Sequence, residues 1–347
     1  MKILCIGQEW RGSNSSGLFY ALSRQGCLTN VINEQIYVSA AATQFLLKAV
    51  HRVLRPFQVR DFNVLLRRQF DAFQPDLVLV YKGPYLLPET ITAWKKRGVP
   101  VVVFYPDVSF MAHGPYIPRC LPLYDHVFTT KTFAAADLAQ HFGYPATQVS
   151  FIPHGYDPLV HRPLDQVPDN FKCQASFIGN YSPWKASLLE QLIEGIPALD
   201  LKIWGGTWGQ YQGAMLRPYI QGQALLGDAY AAAINGSTIN LGILSEQVRG
   251  ASSGDQITSR TFHIPGAKGF LLHQRTPEAL QHFQENQEAA FFEGPEELAE
   301  KVQFYLVHPE ELQQVADRGH ARAQREYALD ARARQLLEVL RSKQIIN

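Results

Sequence analysis

The stretch Ser259-Arg260-Thr261-Phe262-His263-Ile264-Pro265-Gly266-Ala267-Lys268-Gly269-Phe270-Leu271-Leu272 places two cations, aromatic rings and a glycine-rich turn just ahead of an apolar run. The turn from Gly266 to Gly269 brings backbone N–H groups close to a ligand, and a helix that opens at such a turn favours negative charge. Arg260 adds a planar fork of donors and Lys268 a point charge. The pattern favours binding of a nucleotide diphosphate, with an ordinary helix-to-strand connection as the alternative.

On both sides of this stretch, short apolar runs alternate with helical patterns, which predicts βαβ units and parallel sheets. The predicted strands are 2–6, 28–32, 77–81, 101–105, 126–129 and 149–151 in the first half, and 175–178, 201–204, 239–241, 270–272 and 290–292 in the second. Residues 309–340 are rich in Ala, Glu, Gln, Arg and Leu, and they predict two long helices separated near Arg318-Gly319 or at Tyr327.

The chain has 347 residues, more than the roughly 250–300 at which a single hydrophobic core stops growing. Four prolines in a polar stretch indicate a linker, at Pro153, Pro158, Pro163 and Pro168. We therefore expect an α/β fold of two tandem Rossmann-like, doubly wound domains that face each other across a cleft. The predicted domains are 1–160 and 170–325, followed by a C-terminal helix at 326–347 that packs back on the first domain. Ligands of such sheets bind beyond the carboxyl ends of the strands.

The formal net charge of +1 argues against nucleic acid as a partner. The charge is unevenly distributed along the chain. Residues 41–70 contain six basic residues and one acidic residue, Asp61, which gives a local charge of +5. Helical spacing of apolar residues there predicts a basic amphipathic helix pair. The hypothesis is contact with an anionic or lipid-linked acceptor or with a membrane surface, and a merely solvated helix face is the alternative.

The cysteines are Cys5, Cys27, Cys120 and Cys173, and they form no CxxC pair. Neither a zinc site nor a disulfide framework is indicated, so we expect reduced and mostly buried thiols. The apolar run at the start of the chain is too short for a secretory signal, and no later segment has the length of a membrane span. We expect a cytoplasmic protein.

The loop after the first predicted strand carries polar side chains at the carboxyl end of the sheet. Gly7, Gly12 and Gly17 are five residues apart, and a dinucleotide fingerprint requires tighter spacing, so a nicotinamide cofactor finds little support. The loop suits a hydroxyl-rich acceptor, with a structural helix cap as an equal alternative. The candidate acceptor-binding residues are Glu9, Arg11, Ser13 and Asn14 from this loop and His113 from a later one.

Asp107 follows the apolar run 101–104 and is a candidate general base or hydroxyl-orienting acceptor. A turn cap after Pro106 is the alternative. His154 is the second catalytic candidate, although a lone histidine in a loop is usually hydrogen-bonded or solvated.

In the second half, a strand ends at Phe177-Ile178-Gly179-Asn180 and a helix then begins near Lys185. Gly179 lets a ligand approach the backbone, and Lys185 can reach a phosphate; a helix start at Pro183 explains the rest of the pattern. Trp204 and Gly205 follow another strand and offer a surface on which a base or sugar could stack, or else they only turn the chain.

Several of these segments resemble the CgeB-like (spore maturation protein type) glycosyltransferases of the GT-B fold. The resemblance rests on Phe177-Ile178-Gly179-Asn180, Ile239-Asn240-Leu241-Gly242-Ile243, Thr258-Ser259-Arg260-Thr261-Phe262, Gly269-Phe270-Leu271-Leu272 and Asn286-Gln287-Glu288. In the first half, Tyr124-Asp125-His126-Val127-Phe128 and Ile152-Pro153-His154-Gly155-Tyr156-Asp157-Pro158 also match. The resemblance spans most of the chain and is strongest from 175 to 334.

The resemblance implies hexosyl transfer from a nucleotide-sugar donor held by the second domain, with the acceptor on the first. Related retaining transferases use two glutamates eight residues apart, and this chain has Asp255 and His263 at that spacing. A neutral imidazole accepts one hydrogen bond where a glutamate accepts two. The implied donor-binding residues are Gly179, Asn180, Lys185, Trp204, Gly205, Asp255, Arg260, His263, Gly266, Lys268 and Glu288.

Such transferases need no divalent metal, so we expect neither a metal nor a cofactor. Two alternatives remain open at this point: a nucleotide-sugar epimerase, and a non-catalytic protein that binds sugar nucleotides or glycans. The sequence also leaves open the sugar, the base, the acceptor, the stereochemical course and the oligomeric state.

Overall fold

The computed structural model describes residues 1–38 and 45–346 of the chain. The chain forms two compact units. Unit 1 comprises Met1–Pro153, Gln247–Ser253 and Asp330–Asn347, and unit 2 comprises His154–Glu246 and Gly254–Leu329. Two segments from the second half of the sequence therefore complete the first unit.

Within the described residues, unit 1 is built on a sheet of six parallel strands: β1 Lys2–Gly7, β2 Leu28–Asn33, β3 Leu77–Tyr81, β4 Val101–Tyr105, β5 His126–Thr129 and β6 Val149–Phe151. Their order across the sheet is β2-β1-β3-β4-β5-β6. Strands β3 and β4 are buried along their whole length, as expected for central parallel strands covered on both faces. The order changes direction between β1 and β3, so the carboxyl ends of these strands form the switch point where such sheets bind ligands.

Unit 2 contains a second parallel sheet, formed in the described chain by β7 Cys173–Ile178, β8 Leu201–Trp204, β9 Ser237–Gly242, β10 Leu271–Gln274 and β11 Ala290–Phe292. Their order is β11-β10-β9-β7-β8. The switch point of this sheet lies between β7 and β9, which pair in parallel with Cys173 opposite Ser237 and Ala175 opposite Ile239.

The described helices connect these strands. They are α1 Asn14–Arg24, α2 Glu34–Tyr37, α3 Phe45–Phe73, α4 Pro88–Lys95, α5 Tyr116–Cys120, α6 Ala134–Phe142, α7 Pro183–Gly195, α8 Gly227–Gly236, α9 Arg260–Gly266, α10 Pro277–His282, α11 Pro295–Val307, α12 Pro309–Glu326 and α13 Leu329–Ser342. The two C-terminal helices, α12 and α13, are separated at Tyr327, which is one of the two predicted positions. The other position was wrong, because Gly319 lies inside α12 and is buried there.

The eleven predicted strands all appear, and the α/β fold with two Rossmann-like sheets is confirmed. Each unit has its own apolar core. In unit 1 the core includes Val78, Val80 and Val103 from the central strands, and in unit 2 it includes Phe177, Ile239 and Leu272. The four cysteines are free, and three of them are buried.

The predicted basic segment forms one helix rather than a pair. Helix α3 has 29 residues and contains Pro56. Val59, Phe62, Leu66 and Phe70 recur at helical spacing and are buried, while Arg60, Arg67 and Arg68 are exposed. Residues 41–44 and the side chains of Lys48 and Arg52 lie outside the described part of the chain.

Candidate functional site

Lys185 lies at the switch point of unit 2. Ser182 caps α7, and its Oγ accepts a hydrogen bond from the backbone N of Lys185 at 3.3 Å. The Nζ of Lys185 lies 3.0 Å from Ser245 Oγ and 3.5 Å from the carbonyl oxygen of Asn180. Asn180 follows β7 and Ser245 follows β9, so this lysine connects the two loops that flank the switch point. Its side chain is 5% exposed.

Arg260 opens α9 at the same edge of the sheet. Its Nη2 donates to the carbonyl oxygen of Ile243 at 2.6 Å, and its guanidinium lies 5.2 Å over the ring of Phe177. Ile243 follows β9, and Phe177 belongs to β7. The Nε of Arg260 is buried and has no hydrogen-bond partner in the described structure. An unpartnered buried donor at a ligand-binding edge is costly unless a ligand satisfies it.

The two cations are close enough to affect each other. Burial lowers the pKa of Lys185 to about 8, and the charge of Arg260 contributes to the decrease, while Glu246 and Asp255 act against it. Burial likewise lowers the pKa of Arg260. Two like charges held together out of water destabilise the site, and an anion bound between them would relieve the repulsion. We call Lys185 and Arg260 the cation pair.

The loops around Gly179 and Gly205 are locked to each other. The N–H of Gly179 donates to the carbonyl of Trp204 at 2.8 Å, and the indole N–H of Trp208 donates to the carbonyl of Gly179 at 2.8 Å. A Cβ atom at position 205 would collide with that same carbonyl oxygen. Gly205 is thus fixed by close packing of backbone on backbone. The glycine holds in place the loop that leads to Lys185.

The expectation that Trp204 stacks on a base was wrong. Its side chain is 3% exposed and belongs to a small core with Cys173, Leu225 and Ala233. The ring lies 6.1 Å from that of Phe171. Its faces are therefore occupied by the protein.

The turn from 266 to 269 also differs from expectation, because it ends α9 rather than opening a helix. The backbone N–H groups of Ala267, Lys268 and Gly269 donate to carbonyls of the preceding turn at 2.9 Å each. Since these donors are satisfied by the helix end itself, they are not available to a phosphate. The anion-favouring end of α9 is the opposite one, where Arg260 lies.

Gly266 and Lys268 take structural positions. A Cβ atom at Gly266 would collide with the ring of Tyr156, so the glycine allows that ring to pack on α9. The Nζ of Lys268 lies 2.9 Å from Asp317 on α12, and both side chains are exposed. The predicted phosphate contacts of these two residues were therefore wrong.

His263 is packed among other rings. Its imidazole is 4% exposed, stacks on His161 with centroids 3.8 Å apart and meets Tyr230 edge-on at 5.7 Å. Burial, reinforced by His161 and His154, holds the pKa of His263 well below its usual range, so the ring is neutral. The structure gives this residue a packing role. The catalytic role of His154, which is 9% exposed, stays a prediction.

Asp255 and Glu288 have different surroundings. The backbone N–H of Asp255 donates to the carbonyl of Ser245 at 2.9 Å, and its charge raises the pKa of both members of the cation pair. Asp255 therefore lies close enough to influence the cation pair, and its donor-binding role stays a prediction. Glu288 accepts a hydrogen bond from the backbone N of Gln284 at 3.0 Å and closes the loop before β11. That loop precedes its strand, so Glu288 lies away from the carboxyl edge and its donor assignment was wrong.

A second cluster of charged groups occupies the carboxyl edge of unit 1. Lys82 follows β3 at that unit's switch point and has a φ of 67°. A bulky residue in the left-handed region is strained, and such strain concentrates at functional sites. The Nζ of Lys82 lies 2.8 Å from Asp107 Oδ2, and His113 Nε2 lies 3.2 Å from the same oxygen. The structure thus brings Asp107 and His113 together and adds a lysine.

Asp107 is poorly suited to act as a general base. Burial works to raise its pKa, but the hydrogen bond from His113 and the charge of Lys82 outweigh that effect and hold the pKa well below its usual range. A carboxylate with so low a pKa takes up a proton weakly. Orientation of a hydroxyl group is the role that fits it.

Glu34 adds a buried acid to the same edge. It follows β2, is 2% exposed, and its carboxyl group has no hydrogen-bond partner within the described residues. Burial raises its pKa to about 8, against the opposing charge of Lys82. The group is therefore largely protonated at neutral pH.

The loop before α1 is mostly occupied with its own structure. Ser13 is the N-cap of α1, and its Oγ accepts from the backbone N of Ser16 at 3.1 Å and contacts Ser16 Oγ at 2.7 Å. The structural alternative for Ser13 was therefore the right one. Glu9 accepts a hydrogen bond from Tyr20 at 3.0 Å. The acceptor roles of Glu9, Arg11 and Asn14 stay predictions.

Within the described chain, no group of three or more His, Cys, Asp or Glu side chains could hold a metal ion. Over the same residues, the longest helices lack the apolar stretch needed to cross a bilayer.

Solved structures of other proteins superpose on this chain over nearly its whole length. Sucrose-phosphate synthase from Thermosynechococcus elongatus is 12% identical and superposes with a TM-score of 0.67, covering 99% of this chain and 98% of that one. Anabaena Alr3699/HepE, solved in complex with UDP and glucose, is 14% identical with a TM-score of 0.66, covering 99% of this chain and 100% of that one. At these identities the likeness concerns the fold.

Sequence comparisons go further. A family model described as glycosyl transferase-like matches residues 185–338, and one described as glycosyltransferase family 4 matches residues 44–158. The spore protein CgeB of Bacillus subtilis (strain 168) is 24% identical over 277 residues, covering 72% of this chain and 77% of that protein. These matches support a glycosyltransferase of the GT-B fold that is similar to CgeB. The first family match contains both members of the cation pair, and the second contains the cluster around Asp107.

The sequence of this transferase carried signals for some of the residues that prediction missed. Lys82-Gly83 directly follows a buried strand, a position from which a lysine reaches the carboxyl edge of the sheet. Ser245 and Glu246 follow the next strand of the other switch point in the same way. Glu34 gave no comparable signal, because an acid at a helix start is ordinarily solvated.

Proposed function

We propose that this glycosyltransferase moves a sugar from a nucleoside-diphosphate sugar to a hydroxyl-bearing acceptor, and that it does so without a divalent metal. One observation supports this above all: the switch point of unit 2 holds two cations, Lys185 and Arg260, whose charges repel in a buried setting. A diphosphate supplies the two negative charges that such a pair requires. The carboxyl edge between β7 and β9 is the place where this fold binds ligands.

The chemistry assigns the cation pair to the leaving group. As the bond between the sugar and the diphosphate breaks, negative charge accumulates on the phosphate oxygens. Donors already positioned for that charge stabilise the transition state, each by about 3 kcal/mol. The unpartnered Nε of Arg260 and the Nζ of Lys185 are such donors. Asp255 and Glu246 keep the pair together when no anion is bound.

The same arrangement of two cations supports the proposal that the transfer needs no metal ion. In metal-dependent transfer, a divalent cation provides two positive charges next to the diphosphate. Here the two side chains provide the same total charge, since the guanidinium is always protonated and the ammonium is protonated below about pH 8. The proposed reaction therefore proceeds in the presence of a chelator.

We assign acceptor recognition to the cluster of Lys82, Asp107 and His113 in unit 1. Asp107 is held ionised by its two partners, and a carboxylate accepts hydrogen bonds from hydroxyl groups. The exposed basic face of α3, in the same unit, favours an acceptor that is anionic or lipid-linked. The nucleotide sugar and this acceptor are the proposed partners.

The test combines nucleotide binding with turnover. We expect one nucleoside diphosphate from a panel of UDP, GDP, TDP and ADP to raise the melting temperature, and donor hydrolysis or transfer to continue in EDTA. Lys185→Met and Arg260→Gln should each weaken nucleotide affinity by roughly tenfold to a hundredfold, the loss of one charged hydrogen bond. Lys172→Met is the matched control, because Lys172 is an exposed lysine of unit 2 paired with Asp169.

The pH dependence of nucleotide affinity gives a second reading of the same site. Above about pH 8 the free protein loses the Lys185 proton, and binding of the anion must take it up again, so affinity should fall as pH rises through that value. Strict dependence on added manganese, or unchanged affinity in both variants, would contradict the proposal. Interconversion of the donor sugar without transfer would instead identify an epimerase.

A further inference from the structure

A groove of about 600 Å³ lies on the surface of unit 2 between α11 and α12. Asn286 contributes to it, and this residue precedes β11, so the groove lies at the amino-terminal side of that strand. The cation pair follows β7 and β9 at the carboxyl edge. The groove therefore shares neither a residue nor an edge of the sheet with the proposed diphosphate site.

An aromatic ring lines one wall of the groove. The side chain of Phe304 is 41% exposed, although it is large and apolar. His308 stacks on it with ring centroids 4.1 Å apart, and Tyr305 meets it edge-on at 5.1 Å. The ring is thus held in a fixed position with much of its surface open. A fixed aromatic surface can pack against the C–H face of a ligand.

The polar groups of the groove are balanced in charge. Glu300 and Glu311 contribute two negative charges, and Lys301 and Arg318 contribute two positive ones. This balance disfavours a strongly charged ligand. It favours a neutral ligand that has many hydrogen-bonding groups of its own.

The hydrogen-bonding groups are arranged to serve such a ligand. Neither Glu300 nor Glu311 forms an ion pair or a side-chain hydrogen bond with the described residues, so both carboxylates have free acceptor capacity. At the base of the groove, Tyr305 is 3% exposed and its hydroxyl lies 3.5 Å from Asn286 Oδ1, a long contact. Lys301 Nζ holds the same oxygen at 3.2 Å.

We propose that this groove binds a neutral oligosaccharide. A pyranose ring would pack its C–H face on Phe304 and donate hydroxyl hydrogen bonds to Glu300 and Glu311. A volume of about 600 Å³ falls within the usual size of small-molecule sites. The site goes beyond the transfer reaction, since it takes a glycan and needs neither the nucleotide nor the cation pair.

The experiment measures direct binding of neutral trisaccharides by saturation-transfer NMR and calorimetry on the full chain. Maltotriose, cellotriose and chitotriose are the probes, and trigalacturonate is the anionic comparison. We expect at least one neutral trisaccharide to bind, and Phe304→Ala to weaken its binding by roughly tenfold. Glu311→Gln, an exposed change that leaves the core intact, should weaken it several-fold.

Val307→Ala is the matched control, because Val307 is a 72% exposed apolar residue of α11 outside the groove. The proposal is overturned if no neutral trisaccharide binds, if trigalacturonate binds better, or if Phe304→Ala and Glu311→Gln leave binding unchanged. It is also overturned if Phe304→Ala alters only the oligomeric mass, which would make the groove a contact between copies. Loss of binding in Lys185→Met alone would place the glycan at the donor site instead.

Discussion

The ionisation of a single buried residue, Glu34, makes the stability of the folded chain depend on pH. Its carboxyl group is 2% exposed, and burial raises its pKa to about 8 from an ordinary value near 4.5. Between these two values the folded chain keeps the proton while the unfolded chain releases it. The free energy of unfolding contributed by this group therefore falls as pH rises, by up to about 1.4 kcal/mol per pH unit.

Glu34→Gln should remove this pH dependence, because a glutamine keeps the shape without ionising. We expect the variant to gain stability over the wild type as pH rises from about 5 to about 8, measured by urea unfolding of unit 1 at both values. Glu338→Gln on the exposed face of α13 is the control and should show no such trend. The same stability difference at both pH values would show that Glu34 is ionised in the folded chain.

At the same scale, sequence reasoning could name candidates only where residue type and position point the same way. Lys185 was predicted as a cation that follows a strand, and Arg260 as a cation beside a glycine-rich turn ahead of one. Both contact residues that follow β9, and their role in binding a diphosphate stays a prediction. Gly266 and Lys268 were misassigned because a glycine-rich turn has the same sequence pattern before a helix as after one. Only the backbone hydrogen bonds show that this turn ends α9. The φ of Lys82 depends on tertiary packing, so no local pattern reported it.

Helix α3 is the element whose function is most open to test. Its buried residues follow the 3.6-residue period, which is why a helix could be predicted there from the spacing of apolar residues. The exposed side carries Arg60, Arg67 and Arg68, and among the described residues none of the three has an acidic partner that would reduce its charge at long range. A basic surface of this kind attracts anionic lipids or an anionic acceptor, by about 1 kcal/mol per residue.

Replacing Arg60, Arg67 and Arg68 by glutamine should reduce binding to vesicles that contain anionic lipid, or raise KM for an anionic acceptor, by roughly tenfold or more. Sedimentation with vesicles and acceptor titration measure the two effects. A triple variant of Lys172, Arg325 and Arg334, all exposed cations elsewhere, controls for net charge. If both triple variants behave like the wild type, the face of α3 is only solvated.

Elements were easier to predict than sites. Buried parallel strands form nearly continuous apolar runs, so all eleven strands could be placed from the sequence. The helix pair at the C-terminus was placed as well, and its interruption at Tyr327 rather than Gly319 depends on packing. Gly319 lies inside α12 at a point where the helix approaches the backbone of another segment. A Cβ atom at this position would collide with the carbonyl oxygen of Glu288, so the position requires a glycine. Such close approaches leave no local signature.

At the scale of the whole molecule, the order of the chain and the membership of the units differ. Residues 330–347 belong to unit 1 although they follow all of unit 2. Arg24 of α1 holds Asp330 through two hydrogen bonds of 2.7 and 2.9 Å. The segment 247–253 also belongs to unit 1, where Ser109 Oγ donates to the carbonyl of Arg249 at 2.7 Å. Unit 1 is therefore incomplete until residues 330–347 have been synthesised.

This interleaving predicts that a change in the last helix destabilises the first unit. Leu336 in α13 is fully buried, and Leu336→Ala should lower the stability of unit 1 by about 3 kcal/mol, through lost apolar contact and a residual cavity. Glu338→Ala, two residues away and exposed, should have little effect. Because two units need not unfold together, the measurement is hydrogen exchange of β3 and β4 together with the nucleotide-induced shift of unit 2. Faster exchange in β3 and β4 with an unchanged nucleotide shift is the expected result, since the cation pair lies wholly in unit 2. If hydrogen exchange in β3 and β4 were unaffected, α13 would not stabilise the core of unit 1, and the prediction would be wrong.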